Sequence, residues 1–299
     1  MNEKQRVLKI LSSHTYQLSS PQRIRKVSIR KMIQGGLVLG RGKDIGSIYY
    51  GAIPPNAEEK PVLVFIHGYI SKGGIWIVGN DMYSRAYFGG YRTAFVSVAP
   101  DKDMWYNGEI FSEMLTRICA HYQVPNVVVV GWSKGGVDTE AAAVHFGAYP
   151  MIKHLFSLST PYWGTPLADF AYKRGAYRLA YFFIQVNDAS YVMRTDYMKY
   201  FREITDKHEN NAQLAVTSLG AWGYGAIHLA TGLLLNRLGA GRKRGGNDGV
   251  VPYTSTLRPD ANVLLNGYGD KRSCLNHLEI AQGRHVWGYL EPELRKLLS

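Results

Sequence analysis

Short apolar runs recur along the first two thirds of this chain, separated by longer stretches of mixed character. Residues 62–66, 93–98, 126–131 and 154–159 are each five or six residues long and rich in β-branched and aromatic side chains. Runs of that length, apolar on both faces, predict strands buried on both sides, as in a parallel sheet. The segment after Gly79, residues 108–122, and Val137 to Ala143 have helix-forming composition. Strand and helix thus alternate, which demands right-handed crossovers and places the functional loops at the carboxyl ends of the strands. An early strand is expected within 44–53, ending at Pro54-Pro55, with 54–61 as a turn-rich link. Further strands are expected at 213–218 and 262–266, and a closing helix near 290–298.

Two regions depart from this rhythm. Between Leu167 and Gly246 lies aromatic-rich helical material (Tyr172, Tyr177, Tyr181, Phe182, Phe183, Tyr191, Tyr197, Tyr200), followed by the glycine-punctuated run 219–241. An insertion of this size above a sheet reads as a cap or lid, about 167–246. Residues 1–43 read as an attached arm. In it Val7, Leu8, Ile10 and Leu11 fit one helical face, and Val27-Ser28-Ile29-Arg30 alternates like a strand. The remainder, 44–299, is expected to be one domain. No internal repeat or low-complexity tract interrupts it.

Charge changes the picture chiefly in the arm. Of a formal net charge of +12, residues 1–43 hold ten bases against Glu3 alone, and Arg242-Lys243-Arg244 forms a second cluster. Such patches suit an anionic lipid or a polymer-granule surface, or a merely solvated face. No zinc-finger spacing or RNA-binding signature accompanies them, so no nucleic acid partner is expected. A hydrophobic content of 46% with 19% charged residues describes a globular protein. No apolar run is long enough to cross a bilayer, and no signal-peptide pattern opens the chain, so the expected location is the cytoplasm, with an already processed secreted form as the alternative. Cys119 and Cys274 stand alone and are read as thiols rather than a bridge.

The chemistry begins at residues 127–136, VVVVGWSKGG. A buried strand passes without a spacer into Gly-x-Ser-x-Gly and then a helix, the setting of a nucleophile elbow that presents Ser133 at a sharp turn. A serine hydroxyl is a poor nucleophile near neutral pH and needs a histidine base oriented by a carboxylate. Of nine histidines, His277 follows the last expected strand; His285 is the alternative, eight residues on. Asp248, in Asn247-Asp248-Gly249, precedes His277 by 29 residues. Asn-Asp-Gly is also a common turn, and Asp169 and Asp206 remain alternatives. Backbone donors for an oxyanion are expected from Tyr69, after His67-Gly68, and from Lys134, directly after the serine. Trp132, Trp163 and Trp222 are the substrate-binding candidates.

Taken together, Ile66-His67-Gly68-Tyr69, Gly131-Trp132-Ser133-Lys134-Gly135-Gly136, residues 159–166 (STPYWGTP), residues 247–252 (NDGVVP) and Asn276-His277-Leu278-Glu279 resemble the bacterial triacylglycerol lipases of the α/β-hydrolase superfamily, in order over roughly residues 61–290. The resemblance implies an α/β-hydrolase fold, a mostly parallel central sheet with helices on both faces and a helical cap. It implies a serine ester hydrolase of lipase or esterase type, with Ser133, Asp248 and His277 as the triad and Tyr69 and Lys134 in the oxyanion hole. It implies no organic cofactor. A structural calcium near the histidine is a family feature for which Glu279 is a candidate ligand, although no matching upstream aspartate is present. The basic arm and the absent export signal leave a neighbouring reading, an intracellular depolymerase of storage polyesters such as polyhydroxybutyrate. A non-catalytic binding protein on the same scaffold is the alternative from another class.

Overall fold

The computed structural model describes residues 14–24, 26–38, 45–55, 57, 59–173 and 186–298. The elements within them, in chain order, are β1 (Thr15–Gln17), α1 (Ile29–Val38), β2 (Ser47–Tyr50), β3 (Leu63–Ile66), α2 (Met82–Phe88), β4 (Thr93–Ser97), α3 (Met104–Tyr122), β5 (Val127–Trp132) and α4 (Lys134–His145), then β6 (Ile152–Leu158), α5 (Pro166–Ala171), α6 (Asp188–Val192), α7 (Thr195–Thr205), β7 (Val216–Leu219), α8 (Leu229–Leu235), β8 (Asn262–Leu265) and α9 (Gly283–Lys296). The eight strands form one sheet in the order β1-β2-β4-β3-β5-β6-β7-β8. Only the β2–β4 pair is antiparallel.

The apolar runs serve both faces of this sheet. Along β5, Val127 and Val129 enter the core beneath α3 and α4, while Val128, Val130 and Trp132 enter the core beneath α2 and α9. Successive side chains on a strand point to opposite faces, so a run without polar positions fills two cores at once. Removing this area from water is the main term holding the sheet between its helices.

The N-terminal segment corrects one expectation. Residues 27–30 do not form a strand; the chain turns into α1 at Ile29. Four residues carry too little alternation to decide between periods. Ser28 caps the helix, its Oγ accepting from the Lys31 amide at 3.3 Å, while its own amide donates to Gly79 O at 3.1 Å. α1 then packs against residues 73–76. Thr15–Gln17 instead supplies the outermost strand, parallel to β2. Both segments are therefore built onto the domain. The face proposed around Val7 to Leu11, and Tyr177, Tyr181, Phe182 and Phe183 of the insertion, lie outside the described residues. The strand within the insertion falls at 216–219 and divides it into two excursions: one carries α5, α6 and α7, the other α8. Cys119 is buried and Cys274 exposed, both as free thiols.

Candidate active site

β5 delivers Ser133 to the carboxyl edge of the sheet. Its backbone has φ 55° and ψ −130°, a left-handed conformation that an L-residue holds only when its surroundings enforce it. Neighbouring glycines allow the turn to close. A Cβ on Gly131 would sit 2.9 Å from Gly136 Cα, and one on Gly135 would sit 2.5 Å from the His67 carbonyl oxygen. The Ser133 amide donates to Leu158 O at 2.8 Å, tying the turn to β6. Directly behind it α4 begins, so its N-terminal end favours negative charge at the serine.

The histidine and the carboxylate arrive from two different loops. His277 Nε2 lies 2.9 Å from Ser133 Oγ, and His277 Nδ1 lies 2.6 Å from Asp248 Oδ2. Asp248 is fully buried, and its Oδ1 accepts from the amides of Val250 (2.9 Å) and Val251 (2.7 Å). Burial by itself would raise this carboxyl; the charge and hydrogen bond of His277, with the two amides, outweigh it and hold it below the ordinary carboxylate range. The loops are fastened from behind. Trp132 Nε1 donates to His277 O at 2.8 Å, and the His277 amide donates to Asp248 O at 3.0 Å. Asn247 Nδ2 donates to Ala240 O at 3.0 Å, and its Oδ1 receives the Gly249 amide at 3.0 Å. The Asn-Asp-Gly turn and the carboxylate position are thus the same feature.

Tyr69 and Lys134 flank the serine and line a cavity of about 260 Å³. Apolar side chains of Ile70, Leu167, Ala168, Met193, Val250, Val251 and Leu278 dominate its wall. The His67-Gly68 turn presses against the elbow so closely that a Cβ on Gly68 would meet Ser133 Cβ at 2.6 Å. Two clefts of about 380 Å³ lie elsewhere, and neither is lined by Ser133 or His277.

Trp132 lines the cavity. Trp163 does not; it lies in a separate open cleft with Leu238 and Arg244, its indole donating to Leu257 O at 2.9 Å. Trp222 lines another pocket, donates to Asp270 O at 3.0 Å and packs edge-on to Tyr268. His285 sits in α9, accepting from Arg284. Asp169 accepts from the amide and hydroxyl of Thr195, and Asp206 lies 3.5 Å from Arg202. Glu279 Oε2 accepts from the Asn276 amide at 3.0 Å, closing the turn that follows the histidine. No group of three or more His, Cys, Asp or Glu among the described residues could hold a metal ion. Glu279 is engaged and has no acidic company, so these residues do not fit a calcium site.

Sequence reading missed three residues here. His228, at the start of α8, lines the cavity with its ring 6.5 Å from that of His277; burial, then the nearby His277, lowers it to about 4. Asn107 and Asp138 lie beneath the elbow. The i, i+4 spacing of Lys134 and Asp138 on a helix was a readable signal for that pair. Nothing in the sequence pointed to Asn107 or His228, which reach the site only through the tertiary fold.

A mostly parallel sheet with the Ser-His-Asp arrangement at its carboxyl edge defines the α/β-hydrolase class. No protein-family model matches the chain, and no curated protein does. Among solved structures, the mature form of the Bacillus licheniformis lipase BlEst2 is 33% identical, with a TM-score of 0.74 over 84% of this chain and 98% of that one. Its propeptide form is likewise 33% identical, with a TM-score of 0.75, and is covered over 54% of its length. A metagenomic carboxyl esterase, MGS0156, shares the fold at 18% identity and a TM-score of 0.56 over 98% of this chain and all of that one. The chain belongs to the lipases and esterases of the α/β-hydrolase fold, a family of carboxylic ester hydrolases.

Proposed function

We propose that the protein hydrolyses apolar carboxylic esters through a covalent acyl-enzyme formed on Ser133. The observation that carries this reading is the unbroken chain Ser133 Oγ, His277, Asp248, at 2.9 and 2.6 Å, on the floor of a largely apolar cavity. His277 Nε2 takes the hydroxyl proton as Ser133 Oγ attacks the ester carbonyl carbon, and the carbonyl electrons move onto oxygen. The amides of Tyr69 and Lys134 receive that oxyanion. As the tetrahedral adduct collapses, the ester C–O bond breaks and His277 delivers its proton to the leaving alcohol. A water molecule, deprotonated by His277, then attacks the acyl-enzyme and releases the carboxylic acid. Asp248 keeps Nδ1–H directed at itself throughout, which leaves Nε2 free to accept.

The test compares emulsified tributyrin with an amorphous polyhydroxybutyrate suspension, each with a Ser133→Ala control. Expected are tributyrin turnover, its loss on substitution by a factor of about 10⁶, and covalent labelling of Ser133 by a fluorophosphonate. Turnover of polyhydroxybutyrate alone would move the reading to polyester depolymerase. Folded protein that neither labels nor turns over either ester would be a binding protein.

A further inference from the structure

Beneath the elbow lies a buried polar chain that the reaction above does not use. Lys134 Nζ donates to Asp138 Oδ1 at 2.6 Å. Asn107 Nδ2, from α3, donates to Asp138 Oδ2 and to Ala99 O, both at 2.9 Å, and Asn107 Oδ1 receives the Ala99 amide at 3.0 Å. The preceding amide, Val98, donates to His67 Nε2 at 3.1 Å, and His67 Nδ1 lies 2.8 Å from Gly68 O. All four side chains are at most 2% exposed. Burying an ammonium and a carboxylate seldom adds stability over a well-packed apolar pair. An ion pair kept at this position therefore calls for another reason.

Its two ends supply one. One end is Lys134, whose own amide follows the serine; the other is His67-Gly68, which leads into Tyr69. We infer that Asn107 and Asp138 are positioning residues, holding through Lys134 and His67 the two backbone amides that receive the oxyanion. This inference rests on the acyl-enzyme reading. Neither amide is secured by regular structure alone: Lys134 follows the left-handed Ser133, and Tyr69 precedes Ile70, at φ 54°. Strained turns keep one geometry only where their surroundings over-determine it. Oxyanion stabilisation requires donors fixed before charge develops. The chain meets both needs by fastening both turns to the consecutive residues Val98 and Ala99, which directly follow β4.

The groups facing Asp138 agree with an ionised carboxylate near neutral pH. Burial raises this carboxyl to about 6, against the pull of Lys134 and Asn107 and with a small push from Asp103 at the start of α3. Across Lys134 stands His67, which burial keeps neutral down to about 4, with Lys72 beyond it. Neutral His67 can accept from Val98, as the geometry requires.

The experiment uses the full chain with Asn107→Leu and, as a near-isosteric second variant, Asp138→Asn. Active sites are counted by fluorophosphonate titration, so unfolded material does not enter the rates. On p-nitrophenyl butyrate, kcat is expected to fall by about 10- to 100-fold, less than the 10²–10³ lost with a whole donor, and KM to stay within about threefold. Affinity for a trifluoromethyl ketone, whose adduct carries the tetrahedral oxyanion, should fall in proportion to kcat/KM. A merely structural role would lower melting temperature and active-site count without that proportionality. Unchanged kcat per titrated site in both variants, or loss of kcat with unchanged ketone affinity, overturns the inference alone. Wild-type protein that does not label overturns the acyl-enzyme reading and this inference with it.

Discussion

Gly68 shows how closely single residues govern this site. Its importance is not a left-handed backbone angle but contact distance. An added Cβ would sit 2.6 Å from Ser133 Cβ and 3.1 Å from Trp132 O, so either the His67-Gly68 turn or the elbow must move. Overpacking of this kind costs about 1–3 kcal/mol. The larger effect falls on chemistry, because the displaced turn leads directly into Tyr69. Gly68→Ala is expected to lower kcat per titrated site by at least about tenfold, a fraction of what a lost oxyanion donor removes. Initial rates on a soluble ester check this, and an unchanged kcat would show that Tyr69 lies off the reaction path.

At the scale of elements, α4 connects the site to the rest of the molecule. Its first five residues include Lys134 and Asp138, and two residues further on stands Glu140, which has no solvent exposure. Glu140 Oε1 accepts from Arg258 Nε at 2.7 Å, and Arg202 Nη2 of α7 lies 2.7 Å from Oε2. Arg258 also donates to Asn211 Oδ1 at 2.6 Å. One buried carboxylate thus joins the helix that follows Ser133 to the first excursion, through α7, and to the segment that leads into β8, through Arg258. Burial also pushes the Tyr162 hydroxyl far up, so it stays neutral beside Arg202. Removing the shared anion would leave the Arg258 guanidinium without its counter-charge and Arg202 with Asp206 alone, 3.5 Å away. Glu140→Gln should therefore lower stability by about 3–5 kcal/mol, read as a fall in the urea midpoint. A shift below about 1 kcal/mol would mean that the arginines reach water in solution.

For the whole molecule, buried neutral histidines set the response to acid. His67, His154 and His228 are each lowered to about 4, by burial first in every case. A base whose folded pKa lies below its unfolded value of about 6.5 binds protons more readily when the chain unfolds. Stability from these groups is present above pH 6.5 and is lost as pH falls towards 4, each histidine contributing a slope of up to about 1.4 kcal/mol per pH unit. Asp138 acts in the opposite sense: raised to about 6, it favours the folded state below its unfolded pKa, and that contribution is lost as pH rises through about 6. His121, His145 and His285 are also lowered by burial, and Asp206 is raised by it like Asp138, so six histidines against two carboxyls predict a melting temperature that falls between pH 6.5 and 4. His154→Gln, remote from the serine and able to keep a hydrogen bond to Thr217, should flatten the decline. A pH-independent melting temperature over that range would contradict this account.

What depends on neighbours along the chain was legible in the sequence alone. Apolar runs of five or six residues announced β3 to β6 because burial on both faces leaves little room for polar positions, and the elbow was legible because strand, turn and helix are contiguous. Ser133, Asp248 and His277 were singled out by residue type, loop position and order, and the fold brings their side chains within 2.9 and 2.6 Å of one another. Where a local pattern was short, as at Val27 to Arg30, the competing helix cap at Ser28 decided the outcome. Trp163 and Trp222 show the same limit from another side: residue type marked them as candidates, but their indoles are held by Leu257 O and Asp270 O away from the cavity. Only the tertiary structure could bring His228 beside His277, Asn107 beneath the elbow and Arg202 with Arg258 onto Glu140. Those meetings join side chains up to 118 residues apart, and their geometry depends on how helices settle on the sheet rather than on any periodicity in the chain.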